Sequence, residues 1–463
     1  MKLLGNILTT MTLAAGLTSC GIYTKYDRPS EVLAGLDSLY RADLRPDTTH
    51  TLTSLSWEEL FTDPRLQVLV RRALEANTDL QVAHLQVEEA QAALRQSKLA
   101  YLPSADLAPE ASLGSLDGKK PQKTYALDVS ASWEIDLFGR LTNAKREARA
   151  ALLESDAYRQ AVQTQVVATV ADSYYALLML DEQIDITRQT VASWEEYVRA
   201  LEVLLRAGQA DRATLNQARA SRLAAESSLA SLEQQLAEQE NALCAFLGQT
   251  PRHVERGTMA EQHFPDTLCV GVPLDLLARR PDVRRAEAAL MQCFYATNAA
   301  RSAFYPRITL GGSAGWTNSG GASVVNPGAW LLSAVGSLVQ PLFNKGENLA
   351  NLQVAKARQE ESLLQFRQAL LDAGNEVNDA LMQWQTARRR IGLDVRQAGH
   401  LEATVHDTEL LMQHSAEVNY LQVITARQSL LSARLSVVQA RYDEIQGVIR
   451  LYHALGGAGQ SEA

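Results

Sequence analysis

The chain has 463 residues, a net charge of -9, and 46% apolar but only 6% aromatic residues. The acidic balance, with no basic stripe interleaved with aromatics, argues against a nucleic-acid partner. Prolines and glycines cluster in a few places, which excludes a set of ordinary globular domains and predicts long helices packed on one another.

Lys2 followed by a largely apolar run over 3–17 and then small residues is a secretory signal, spanning 1–19 and too short to cross a bilayer. Leu17-Thr18-Ser19-Cys20 resembles the bacterial lipoprotein box, so Cys20 is the expected lipidation site. Several acyl chains, palmitate included, would anchor it stably where one chain holds only marginally. Gly21 rather than Asp after the Cys favours the outer membrane. Residues 20–56 mix Pro, Asp, Thr and Ser and read as an extended arm. No other segment offers 18 consecutive apolar residues, so any membrane crossing must use strands. Cys244, Cys269 and Cys293 read as free buried thiols, with a Cys244 to Cys269 disulfide as the alternative.

Asp63 and Pro64 open a helix with an apolar stripe of Leu66, Leu69, Val70, Ala73 and Leu74. A second helix runs from Asn77 to about Ala100, and Pro103 ends it. Between 102 and 113 the pattern changes to period two, with Ser104, Asp106, Ala108, Glu110 and Ser112 on one face. Residues 114–123 are a solvent loop. From Tyr125 to Leu137 apolar residues again alternate with Asp128, Ser130, Ser132, Glu134 and Asp136, so 102–137 forms one hairpin with an oily and a wet face. The alternation stops at Phe138-Gly139-Arg140. Residues 141–207 then contain neither Pro nor Gly, about 100 Å of helix. Gly208 breaks it, and a further helix covers about 212–247.

After a connector at 248–273 the pattern returns. A helix over about 282–304 leads into a second hairpin, 305–343, whose returning strand is expected over 329–343. Long helices then run to about Gln413 and over about 421–455. Leu137-Phe138 and Leu342-Phe343 lie 205 residues apart (342 minus 137), and the turns at 208–212 and 416–420 lie 208 apart. The chain is therefore a duplication, 57–247 and 274–457, with a tail at 458–463. Four strands cannot close a barrel with a usable interior. Three copies give twelve strands, so the fold class is mainly α with a trimeric, 12-stranded transmembrane β-barrel continued by a long periplasmic α-helical barrel. Ser104, Asp106, Glu110, Asp128 and Ser132 would line its watery lumen.

Trp133-Glu134-Ile135-Asp136-Leu137-Phe138-Gly139-Arg140, the segment 271–287 with Arg279-Arg280-Pro281-Asp282-Val283-Arg284-Arg285, and Pro341-Leu342-Phe343 resemble the TolC-like outer-membrane efflux proteins. The match is to the lipoprotein branch serving resistance-nodulation-division pumps (the NodT/OprM-like outer membrane factors), and it spans Trp57 to Gly457. The resemblance implies a homotrimeric exit duct that performs no chemistry and needs no cofactor. It receives small molecules from an inner-membrane transporter and a periplasmic adaptor protein and passes them outside.

The resemblance also places adaptor docking and a gate at the periplasmic tip, 207–214 and 415–422. There the family often carries acidic residues six positions after each turn Gly, and nine after the second. This chain has Thr214, Gln422 and Thr425 at those positions, and Ala416 in place of the second Gly; it departs from the pattern at each. Asp211 and Glu417 stand nearby, either substituting for the gate acids or serving as solvated turn charges. Gly208, Asp211, Arg212, Thr214, Ala416, Glu417, Gln422 and Thr425 are the candidate tip residues.

The arginines at 279–285 read as structural, pairing with acids on neighbouring helices or the connector. The eight histidines show no paired ligand spacing, and no nucleophile or phosphate-loop motif stands out, so neither metal chemistry nor catalysis is expected. A type I secretion duct shares the architecture. A lipid-anchored periplasmic coiled-coil scaffold explains the helices but leaves the hairpins without a purpose.

Overall fold

A computed structural model describes residues 22–29, 56–114, 122–262, 264, 280–317, 329–414 and 420–457. The signal segment with Cys20, the end of the connector at 265–273 with Cys269, and the turn at 415–419 with Ala416 and Glu417 lie outside the described residues. The elements in chain order are α1 (Trp57–Leu60), α2 (Pro64–Ala76), α3 (Thr78–Leu99), β1 (Ser104–Gly114), β2 (Gln122–Ile135), α4 (Arg140–Arg206) and α5 (Arg212–Phe246). They continue with α6 (Pro281–Ser302), β3 (Arg307–Thr317), β4 (Ala329–Val339), α7 (Glu347–His414) and α8 (Tyr420–Ala454).

The duplication is visible in the lengths. Helices α3 and α6 have 22 residues each, β1 and β3 11 each, α4 and α7 67 and 68, and α5 and α8 35 each. Among the described residues no helix is long and apolar enough to cross a membrane. The strands, at 11 to 14 residues, are long enough to do so when tilted.

The chain divides into two units. The first holds the sheet, antiparallel in the order β1-β2-β3-β4. Its join to helix is built locally: the Asp136 carboxylate accepts from the Leu141 and Thr142 amides at 3.1 and 2.8 Å. Those are orphan donors at the N-terminus of α4, so the carboxylate both caps the helix and suits its dipole. Arg140 turns back to fork onto Glu134 at 2.6 Å through both nitrogens. The arm after Cys20 is seated in the same unit. Asn143 donates to the Ile22 carbonyl at 3.0 Å, and Arg28 forks onto Glu287 at 2.7 and 2.5 Å.

Strand β4 ends at Val339, four residues short of the expected Phe343 (343 minus 339). Pro341 has no N–H to continue a ladder, and the Gln340 side chain donates instead to the Phe304 carbonyl at 2.9 Å.

Among the described residues the second unit is helix and connector. Its core includes Phe61, Leu66, Tyr174, Tyr175, Leu177 and Leu178, all fully buried. Asp63 caps α2 through the Arg65 amide at 2.9 Å and also accepts from Tyr174 at 2.6 Å and Gln262 at 3.0 Å. Burial pushes its pKa up, but these donors outweigh burial and hold the carboxyl below its ordinary range. Arg256 pairs with Asp181 and with Glu240, tying the connector to two helices. Cys244 is a buried free thiol whose sulfur contacts the Arg252 carbonyl at 3.5 Å, and Cys293 is also free.

Arg280, from the arginine-rich motif, is 2% exposed. It forks onto Asp282 at 3.0 and 2.7 Å, reaches Glu376 at 2.6 Å, and donates to the carbonyls of Ala454 at 2.6 Å and Ala373 at 3.3 Å. It therefore caps the C-terminus of α8, where a cation meets the helix dipole. Further along the motif, Arg285 lies 3.6 Å from Glu154. Among the described residues of the motif, Arg280 and Arg285 are thus held in ion pairs within the fold.

Candidate functional site

Two regions carry the candidate residues, and each lies within one unit. The first is the turn between α4 and α5 with the helices under it. Gly208 has φ +74, a left-handed conformation that L side chains rarely adopt. Its amide donates to Leu205 at 3.1 Å and that of Gln209 to Leu204 at 2.8 Å. These two bonds make a Schellman motif that satisfies the last carbonyls of α4.

Asp211 then begins α5 as its N-cap, accepting from the Thr214 amide at 2.7 Å and the Thr214 hydroxyl at 3.1 Å. Both donors favour the charged form, the amide most, and hold the carboxyl below its usual range. Thr214, standing where the resemblance places a gate acid, is thus the capping partner of the neighbouring acid. Arg212, Gln422 and Thr425 are exposed. The Thr425 hydroxyl is taken up by the Leu421 carbonyl of its own helix at 2.8 Å.

Beneath the turn lies a core of Trp194, Tyr197, Val198, Leu201, Leu215, Ala218, Ala225, Val423 and Ile424. Burial pushes the Tyr197 phenol up to about 12. The Tyr420 hydroxyl donates to the Gln209 carbonyl at 2.8 Å, tying the start of α8 to the first turn. Arg427 joins three helices. It donates to Glu409 of α7 at 2.9 and 2.5 Å and to the Ser193 carbonyl and hydroxyl of α4 at 2.9 and 2.6 Å. Its guanidinium lies 4.8 Å from the Tyr197 ring centre, within cation–π range.

Sequence reading did not single out Arg427, Glu409 or Tyr420. The available signal was Trp194 with Tyr197, three residues apart on one face of α4.

The second region is the wet face of the sheet. The register pairs Ser104 with Ser132, Asp106 with Ser130, and Ala108 with Asp128. Directly opposed residues share a face, so Ser104, Asp106, Glu110, Asp128 and Ser132 all lie on one side. The ladder continues it: Asp128 faces Gly315, Ser130 faces Ser313, and Ser313 faces Ser333. The Ser313 and Ser333 hydroxyls meet at 2.7 Å. Leu107, Val129, Ala314 and Leu332 form a row on the other side. In β4 the apolar Val335 and Val339 fall on the wet face, opposite Gly311 and Arg307, so the alternation of polar and apolar residues is incomplete there.

The family described as outer membrane efflux protein matches residues 69–249 and 272–457. The cation efflux system protein CusC of Escherichia coli O157:H7 is 30% identical over 456 residues, covering 98% of this chain and 99% of the relative. The probable outer membrane lipoprotein SilC of Salmonella typhimurium is 30% identical over 461 residues, covering 99% and 98%. The solved open state of the MtrE outer membrane channel of Neisseria gonorrhoeae superposes with a TM-score of 0.82 at 28% identity, covering 95% of this chain and 99% of that one.

Proposed function

The chain belongs to the outer membrane efflux protein family, and we propose that it is the passive outer-membrane exit duct of a tripartite efflux pump. An inner-membrane transporter of the resistance-nodulation-division class loads it, a periplasmic adaptor joins the two, and small molecules leave through it. The reading rests on one observation above the rest: a four-stranded sheet, open at β1 and β4, with one polar and one apolar face. Open edges cannot stay in hydrocarbon because their unpaired backbone groups would lack water. Three copies close them into twelve strands, with Ser104, Asp106, Glu110, Asp128 and Ser132 towards water and the apolar rows towards lipid. Acyl chains on Cys20 add an anchor, and the tip around Gly208, Asp211 and Arg212 meets the adaptor. The scaffold alternative gives the two-faced sheet no task.

Native mass spectrometry of protein extracted from outer membranes in mild detergent tests this. Three copies of a 50.7 kDa chain predict about 150 kDa with added acyl mass. A lipidated monomer released intact by cutting the anchor would overturn the barrel. In the same experiment Cys20→Ser keeps part of the protein in the membrane, since closed strands hold it there; complete release would refute strand insertion.

A further inference from the structure

At the strand-to-helix joins the two repeats are in different situations. Phe138 follows β2 and Tyr305 precedes β3; their rings stack with centres 5.1 Å apart and planes 20° apart. The stack continues the ladder beyond its last pair, Ile135 with Ile308, since each ring lies three residues further on. Phe343 is the repeat equivalent of Phe138, but it follows β4, an edge strand. It has no ring partner among the described residues and is 86% exposed, with Leu342 at 92%. The equivalent of Tyr305 precedes the other edge strand, β1, at Tyr101-Leu102-Pro103. Leu102 is 61% exposed. Tyr101 is held from behind: its hydroxyl meets that of Thr142 at 3.0 Å, and its carbonyl accepts from the Trp133 indole at 2.9 Å.

We propose that Phe343 of one copy docks on Leu102 and the Tyr101 shelf of the next copy, repeating between chains the contact Phe138 makes with Tyr305 within one. The proposal rests on the trimeric reading above and supplies its contact. Antiparallel pairing of β4 with β1 of the next copy brings these two ends together. Keeping wet face with wet face allows registers two residues apart, because a slip of one residue would turn polar residues to lipid, and repeating the internal pair Glu134 with Thr309 selects Val339 opposite Asp106. Continued past the strand ends, that register sets Phe343 opposite Leu102. Tyr101-Leu102-Pro103 has one residue more than Tyr305-Pro306, which is why leucine takes the position and tyrosine stands beside it. The contact is head-to-tail, and such contacts finish as a ring when the rotation closes. The Glu134 to Arg307 approach of 3.9 Å at the internal join has no counterpart, since Val339 and Ser104 occupy the matching positions. Apolar docking is therefore what remains to join the copies at this level.

The test is the full-length chain carrying Phe343→Cys with Leu102→Cys, oxidised in outer membranes and run on a denaturing gel. We expect loss of the monomer band into a covalent trimer, with each single variant staying monomeric. Phe343→Ser without cysteines should lower the dissociation temperature of the trimer, and Phe343→Leu should largely restore it. If native mass spectrometry shows a trimer but the cysteine pair stays unlinked, and a fluorophore attached to the thiol of the Phe343→Cys variant is quenched by brominated lipid, the ring faces lipid and the docking is wrong. If the unsubstituted protein is not a trimer, the reading beneath the proposal fails and the proposal with it.

Discussion

Replacing Arg280 by Met removes the cation that closes α8 and should leave the sheet untouched. Five hydrogen bonds disappear, but they do not count equally. Asp282 and Glu376 have side chains 48% and 49% exposed, so water replaces much of what they lose, and their pairing with the arginine is discounted accordingly. The Ala373 carbonyl lies inside α7 and keeps its helical bond. The Ala454 carbonyl ends α8 and is buried behind the guanidinium at 2.6 Å, and orphaning such a group costs about 1–3 kcal/mol. With the lost helix-end cation adding up to about 1 kcal/mol, the total is about 3 kcal/mol. An unfolding entropy of about 2.1 cal/mol/K per residue over 463 residues converts this to roughly 3 °C. Far-ultraviolet circular dichroism melts in detergent measure it. Arg280→Lys, which still reaches the carbonyl but cannot fork onto Asp282, should lose less. A melt for Arg280→Met within about 1 °C of the unsubstituted protein would refute the reasoning, and Lys as damaging as Met would move the weight from the carbonyl to the Asp282 fork.

Gly315→Ala places a Cβ against the Leu127 carbonyl and the Asp128 carboxylate, whereas one at Gly311 lies at an ordinary 3.8 Å from two carbonyls. Heat-modifiability on gels should show folded barrel falling sharply for Gly315→Ala and little for Gly311→Ala. Asp211→Ala removes the cap of α5, so hydrogen exchange should quicken at the Thr214 amide, and Asp211→Asn should restore protection. Burial first, and Arg280 besides, lower the pKa of His453 below the ordinary 6.5 against the opposing pull of Glu376 and Asp282. The folded state thus prefers the neutral ring: its contribution is complete above the unfolded value and is lost as pH falls through the lowered one. Melts should drop less between pH about 7.5 and about 5.5 in His453→Gln than in the unsubstituted chain.

The repeated order of helix, hairpin, long helix, turn and long helix was legible because its signals are local. Period-two alternation between 104 and 135 sorts side chains to two faces, and a run of residues 141–207 without Pro or Gly has no reason to stop being helical. The turn at Gly208 and the cap at Asp63 are likewise written within a few residues. The tertiary structure decided what those elements do to each other. Arg280 finds its carbonyl acceptors 93 and 174 residues away, and Arg427 reaches Ser193 at a separation of 234. Thr214, in the place of a gate acid, proves to serve Asp211. A polar side chain in a long amphipathic rod looks the same whether it faces water or another helix, because periodicity specifies a face but not its partner. That partner is set by packing, where a buried charge is tolerated only if distant groups meet it.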